Sequence, residues 1–176
     1  MIIIEGCDNT GKTTLQKEIL ERYPGLREGY KQERPPEDKQ PYMDRLWGFL
    51  GQPVSYTRPF VFDRLYFSEL VYGPILRGNV IFTKSESVII NKMIKRHRAL
   101  IIYARRSLYE IMKDFDSRDQ LNGVKENLPL IHYAYDEVME PYSNSCNFVM
   151  YDYDNPISVS QAWNKVKEYY EDKYAY

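Results

Sequence analysis

The chain alternates short, unbroken apolar runs with longer stretches in which apolar residues recur every three or four positions. Met1–Glu5 predicts a buried strand, and Thr13–Tyr23 predicts a helix with Leu15, Ile19 and Leu20 on one side. A short strand is expected at Gly29–Gln32. Arg34-Pro35-Pro36 then interrupts regular structure, because each proline lacks an N–H and restricts the residue before it. The pattern next predicts a helix over Tyr42–Leu50, a strand over Phe60–Phe62, and a helix over Arg64–Leu76 broken near Gly73-Pro74. Thr83, with Glu86 three residues on, has the spacing of a capping box that opens a helix carrying Val88, Ile89, Met93 and Ile94. Leu100–Tyr103 reads as the fourth strand and Phe148–Tyr151 as the last. Helices are expected at Leu108–Asp114, Leu130–Glu140 and Ser158–Tyr170, the last with Trp163, Val166 and Tyr170 at helical spacing. Strands alternating with helices predict an α/β three-layer sandwich: a parallel central sheet of about five strands flanked by helices. No repeat or low-complexity linker divides the chain, so residues 1–176 read as one domain.

Composition narrows the possibilities. A chain of 176 residues can bury a full core. Its net charge of −1 argues against a surface that binds nucleic acid or membrane through bulk charge. Cys7 and Cys146 are too few for a disulfide scaffold, which points to a reducing compartment. Met1–Gly6 is apolar but too short for a signal peptide and lacks a basic lead, and no apolar run approaches the ~20 residues of a membrane span. A cytoplasmic protein is the expectation. The 17 tyrosines suit either base stacking or the edge of a core. Trp47 and Phe49 are candidates for a homodimer face or for core packing.

The densest chemistry lies at Gly6-Cys7-Asp8-Asn9-Thr10-Gly11-Lys12-Thr13, which fits G-x-x-x-x-G-K-[ST] between a buried strand and an amphipathic helix. There the glycines let backbone N–H groups turn toward phosphate oxygens, and the helix N-terminus adds partial positive charge. Gly6, Asn9, Thr10, Gly11, Lys12, Thr13 and Thr14 are therefore the expected nucleotide-phosphate ligands. Lys12 is expected to reach a transferred phosphate, and the Thr13 hydroxyl to ligate Mg²⁺.

In open α/β sheets ligands bind beyond the carboxyl ends of the strands. After the third strand come Asp63, which can hold Mg²⁺ or accept a proton, and Arg64, which can clamp a phosphate through two N–H bonds. Arg64, Ser68 and Tyr72, spaced four apart, are expected to share one helix face. After the fourth strand, Arg105, Arg106 and the polar stretch Lys113–Gly123 with Arg118 suggest a mobile lid over residues 105–126 that would close on a transferring phosphoryl group. Asp152-Tyr153-Asp154-Asn155-Pro156 follows the last strand, in position to flank the adenine of ATP.

Together these residues resemble the thymidylate kinase family of nucleoside monophosphate kinases, most of all its short viral and phage-type members. The resemblance rests on Glu5-Gly6-Cys7-Asp8 leading to Gly11-Lys12-Thr13-Thr14, and on Asp63-Arg64 followed by Ser68 and an aromatic-rich helix through Tyr72-Gly73. It covers the first half of the chain by motif and the second by order of elements. It implies a P-loop NTPase-type fold and an enzyme that uses ATP and Mg²⁺ to phosphorylate a nucleoside monophosphate, with thymidine monophosphate the first candidate. By resemblance, Asp8 would contact the acceptor sugar and Asp63 would position Mg²⁺ or the attacking phosphate. Arg64 and Arg34 would bind the acceptor phosphate, Tyr72 would lie beside the sugar or base, and Arg118 would act from the lid. The sequence departs from the family pattern at Glu33-Arg34-Pro35, where Arg-Glu-Pro is common, at Asn9, where some members carry arginine, and at Leu65, where an aromatic is common. Two other readings use the same loop: a deoxynucleoside kinase, which needs a general base, and a nucleotide-binding or sensing protein without catalysis. A guanine-reading Asn-Lys-x-Asp is absent, since Asn91-Lys92 and Asn164-Lys165 lack the aspartate.

Overall fold

The computed structural model describes residues 1–30, 38–53, 58–115 and 123–174. Five strands form one sheet: β1 (Ile2–Glu5), β2 (Arg27–Glu28), β3 (Phe60–Asp63), β4 (Leu100–Ala104) and β5 (Phe148–Tyr151). Their order is β2-β3-β1-β4-β5, and every pairing is parallel. The helices are α1 (Lys12–Arg22), α2 (Lys39–Leu50), α3 (Phe67–Tyr72), α4 (Lys84–Arg96), α5 (Leu108–Lys113), α6 (Leu128–Met139) and α7 (Pro156–Tyr174).

Side-chain alternation along the strands sorts the core into two layers. Ile2 and Ile4 of β1 join Val61, Leu100 and Ile102 beneath α1 and α7, where Leu15, Ile19, Ala162 and Val166 cover them. Ile3 joins Phe62, Ile101 and Tyr103 on the opposite face, under α2, α3, α4 and α6. Ile2, Ile3 and Ile4 are all fully buried, each worth roughly 1.5–3 kcal/mol in apolar transfer. That explains why β1 reads as an unbroken apolar run: a parallel strand covered on both faces has no polar side to present.

The structure departs from the sequence reading in four places. The second strand is Arg27–Glu28, just before the expected Gly29–Gln32; Gly29 continues the ladder only through its N–H to the Val61 carbonyl, 2.8 Å away. The helix after β3 begins at Phe67 rather than Arg64, because Arg64 has φ +69°, which no right-handed helix admits. Gly73-Pro74 does not break that helix but widens it into a π turn, Gly73–Arg77, since Pro74 has no N–H for the usual bond. In α4 the buried residues are Ile90 and Ile94, while Val88 and Ile89 are about half exposed. A run of three branched residues leaves the helix phase open, and packing chose the third. The Thr83–Glu86 capping box is present as expected.

The chain passes from β3 to β4 across β1, so the reversal of strand order, where such sheets bind ligands, falls at the carboxyl end of β1. The register aligns Ile4 with Asp63 and with Ile102, and Glu5 with Tyr103. The residues that follow these positions therefore meet at one edge.

Candidate active site

At that edge the backbone from Gly6 to Gly11 wraps into a loop that α1 continues. Three of its residues have positive φ: Gly6 (+149°), Asn9 (+60°) and Gly11 (+80°). Gly6 is fixed by space as well as by conformation, because a Cβ there would stand 2.1 Å from the Ala104 carbonyl oxygen. Gly11 caps α1 with left-handed backbone and lies against Tyr153. The Thr10 hydroxyl donates to the Cys7 carbonyl at 2.9 Å, pinning the loop from within.

Lys12 is 6% exposed and curls over this loop, its Nζ donating to the Cys7 carbonyl and lying 3.4 Å from Thr10 Oγ1. Burial, followed by repulsion from Arg64, lowers its pKa to about 8; Asp8 and Asp63 oppose the shift. A buried cation held by carbonyl and hydroxyl oxygens is prepared for an anion to replace them. Thr13 Oγ1 donates to Asp63 Oδ2 at 2.5 Å. A hydroxyl paired with a carboxylate is the oxygen donor set Mg²⁺ accepts when phosphates and water complete its shell, so Thr13 and Asp63 fit that ion. No group of three or more His, Cys, Asp or Glu residues that could cage a metal occurs among the described residues. Thr14, one residue on, is exposed on α1.

Against the loop, through its Asp8, lies a second charged group. Arg64 Nη2 donates to Asp8 Oδ1 at 2.6 Å and to the Tyr72 hydroxyl at 3.1 Å, and the Tyr72 hydroxyl donates to Asp8 Oδ2 at 2.9 Å. The guanidinium carbon lies 5.0 Å from the centre of the Tyr72 ring. Burial alone would raise the Asp8 pKa, but Arg64, Lys12 and the two hydrogen bonds outweigh it and hold the carboxyl down at about 2. Arg64 Nε is buried and without a hydrogen-bond partner among the described residues. Arg64 and Tyr72 thus meet as their spacing suggested. Ser68 does not join them: because Arg64 precedes the helix, Ser68 lies elsewhere, buried against Glu5 with its hydroxyl 2.6 Å from Glu5 Oε2.

The arginines after β4 are both engaged. Arg105 makes two bonds to Asp136, at 2.7 and 3.1 Å, and Tyr103 donates to the same carboxylate at 2.8 Å. Arg106, expected on a mobile segment, is 6% exposed. It lies 4.4 Å from the Tyr153 ring centre and donates to Asp154 and Asp114, each at 2.5 Å. Arg34 and Arg118 lie outside the described residues, as do positions 116–122 of the expected lid. Sequence reasoning gave no role to Glu5, Asp136 or Tyr135. Their partners are distant in the chain, and the one available hint was a carboxylate ending an otherwise apolar strand.

No protein-family model and no curated protein matches this chain. Solved structures do match it in fold. The YorR protein of Bacillus subtilis, in complex with phosphorylated GDP, superposes with a TM-score of 0.74 at 19% identity, over 97% of this chain and 96% of that one. The shared fold is a P-loop NTPase-type α/β three-layer sandwich with a parallel central sheet. A deoxyadenosine kinase from M. mycoides with bound dCTP matches at 0.57 and 15% identity, over 96% of this chain and 100% of that one. Thymidylate kinase from Candida albicans matches at 0.58 and 12% identity, covering 96% and 91%. Against this fold, the loop at Gly6–Thr13 and the Arg64 cluster occupy the end of the sheet where the strand order reverses.

Proposed function

We propose that this protein is a nucleotide kinase that moves the γ-phosphoryl group of ATP, with Mg²⁺, onto a nucleoside monophosphate, thymidine monophosphate being the first acceptor to test. The observation that carries the reading is a pair of largely buried cations on one loop: Lys12, folded over it, and Arg64, bonded to its Asp8 and braced by Tyr72. A transferase between two phosphates needs two such cations. A switch needs one.

In this reading the loop N–H groups and Lys12 hold the donor phosphates, and Thr13 and Asp63 would hold Mg²⁺. When bound, the ion would screen charge between the transferring phosphates. Arg64 turns its guanidinium, including the unpartnered Nε, toward the acceptor phosphate. The Asp8 carboxylate, ionised at neutral pH, then becomes available to the acceptor sugar. The acceptor oxygen is already anionic, so positioning and charge neutralisation supply the rate and no strong base is required. Arg105 and the lid region, with Arg34 and Arg118, are proposed to complete the charge around the transferred group.

The test is turnover of purified protein with ATP and Mg²⁺ against a panel of ribo- and deoxyribonucleoside monophosphates and free nucleosides, reading products directly. Diphosphate formed from a monophosphate, and lost in a folded Lys12→Ala variant, supports the reading. Turnover of thymidine but not of its monophosphate would replace it with a nucleoside kinase. ATP binding with no transfer to any acceptor would leave a binding or sensing protein.

A further inference from the structure

Glu5 is the last residue of β1 and has no exposed surface. Burying a carboxyl is costly unless its oxygens are hydrogen-bonded, and fold stability alone would be served better by an apolar residue there. Both of its oxygens are in use. Oε1 accepts the Leu65 backbone N–H at 2.7 Å, and Oε2 accepts the Ser68 hydroxyl at 2.6 Å. The Tyr135 hydroxyl lies 3.5 Å from Oε2 and 2.9 Å from Ser68 Oγ, which brings α6 into the same cluster.

These bonds bracket a strained residue. Arg64 holds φ at +69°, a left-handed conformation that crowds the Cβ of a non-glycine residue against its own backbone. Its own N–H bonds the Ile4 carbonyl at 2.9 Å, and the next N–H, of Leu65, bonds the Glu5 side chain. Two successive amides of the turn are thus fastened to two successive residues of β1, one by backbone and one by the Glu5 carboxyl. Without the second fastening, Arg64 would relax toward ordinary negative φ, α3 could extend backward, and the guanidinium would leave Asp8 and Tyr72.

We propose that Glu5 is a positioning residue: its carboxyl clamps the Arg64–Leu65 turn to β1 and α3 and thereby aims Arg64 at the acceptor phosphate. The functional part of this inference rests on the kinase reading above; the clamp itself does not. Burial raises the Glu5 pKa, against the hydrogen bonds from Ser68 and Leu65 that lower it. Glu5→Gln keeps one oxygen for Leu65 N–H and offers its amide to Ser68. Glu5→Ala removes both attachments.

The experiment compares full-length wild type, Glu5→Ala and Glu5→Gln by steady-state kinetics with thymidine monophosphate and ATP. Alongside, it follows the Arg64 Nε–H signal in protein labelled with ¹⁵N-arginine, assigned by its loss in Arg64→Lys. The clamp predicts that Glu5→Ala raises the acceptor KM about tenfold or more while the ATP KM changes less than about twofold, equivalent to roughly 1.4 kcal/mol on one substrate only. It also predicts that the Arg64 signal moves or broadens away, and that Glu5→Gln restores both. An unchanged Arg64 signal in folded Glu5→Ala overturns the clamp, as does an equal rise in both KM values. If Glu5→Ala does not fold, Glu5→Asp, too short by one methylene to serve both partners, carries the same two readings. If the wild type transfers nothing to thymidine monophosphate, the kinase reading with that acceptor falls, and the Arg64 signal still decides the clamp.

Discussion

Lys12 should make the ligand-free protein less stable than a variant without it. Its pKa falls from 10.5 to about 8, which is about 2.5 decades in proton affinity. At about 1.4 kcal/mol per decade, keeping the proton on buried Lys12 at pH 7 costs about 3 kcal/mol relative to the unfolded chain. Lys12→Met keeps the length and removes the charge. It also forfeits the charged bond to the Cys7 carbonyl and the weaker contact with the Thr10 hydroxyl, together worth about 2 kcal/mol, so a net gain of about 1 kcal/mol is expected. For a chain of 176 residues that raises Tm by about 2–4 °C.

The pH dependence has a definite sign. Between pH 8 and 10.5 the unfolded chain binds a proton that the folded chain has released, so raising pH through that window stabilises the wild type. The variant lacks that gain, so the two melting curves should converge and then cross as pH rises toward 10.5. Nucleotide should reverse the order at pH 7. Phosphates return a counter-charge to Lys12, and ATP at a hundred times its Kd adds about 2.7 kcal/mol to the wild type only. Thermal melts at pH 7, 8.5 and 10, with and without Mg²⁺ and ATP, make the measurement. A Lys12→Met protein that melts below wild type at pH 7 without nucleotide, or a gap that does not shrink with pH, refutes the argument.

Three further outcomes follow from the geometry. Gly6→Ala forces a Cβ to within 2.1 Å of the Ala104 carbonyl oxygen at φ +149°, so urea unfolding should show a loss of at least about 3 kcal/mol; a loss below about 1 kcal/mol would mean the loop adapts. Asp8, lowered from 3.8 to about 2, contributes about 2 kcal/mol of stability that is present above pH 4 and lost as pH falls through about 2. Asp8→Asn should lower the urea midpoint at pH 7 and flatten the acid limb below pH 4. Thr83→Ala removes the capping hydroxyl of α4 and should cost about 1 kcal/mol by the same measurement, with kcat and both KM values unchanged, since the cap lies outside the site.

What the sequence revealed of this fold depended on how local the determining contacts are. The Gly6–Thr13 loop could be read because everything it needs, two glycines, a lysine and a following helix, lies within a few residues of itself. The meeting of Arg64 with Tyr72 was anticipated through helical spacing, yet the route was wrong. Arg64 arrives from a left-handed turn, and the same spacing misplaced Ser68. The second strand was displaced because two residues carry too little pattern to mark a strand. Arg106 looked like a free lid cation because the carboxylates that bury it, Asp114 and Asp154, come 8 and 48 residues later. For Ser68 and Arg106 a deciding partner, Glu5 or Asp154, is polar and remote in sequence.

That distinction bears on where the site's precision resides. The donor loop takes most of its shape from its own residues, with outside contacts at Ala104, Asp63 and Tyr153. The acceptor side is assembled from β1, the turn after β3, α3 and α6, through Glu5, Asp8, Ser68, Tyr72 and Tyr135. Changes distant in the chain, in α6 for example, can therefore shift Arg64 without touching the loop. On the kinase reading, donor use should respond chiefly to Gly6–Thr14 and to the residues bonded to it or packed on it, such as Asp63 and Ala104. Acceptor choice should respond to residues such as Tyr135, whose hydroxyl meets Ser68 rather than the open site.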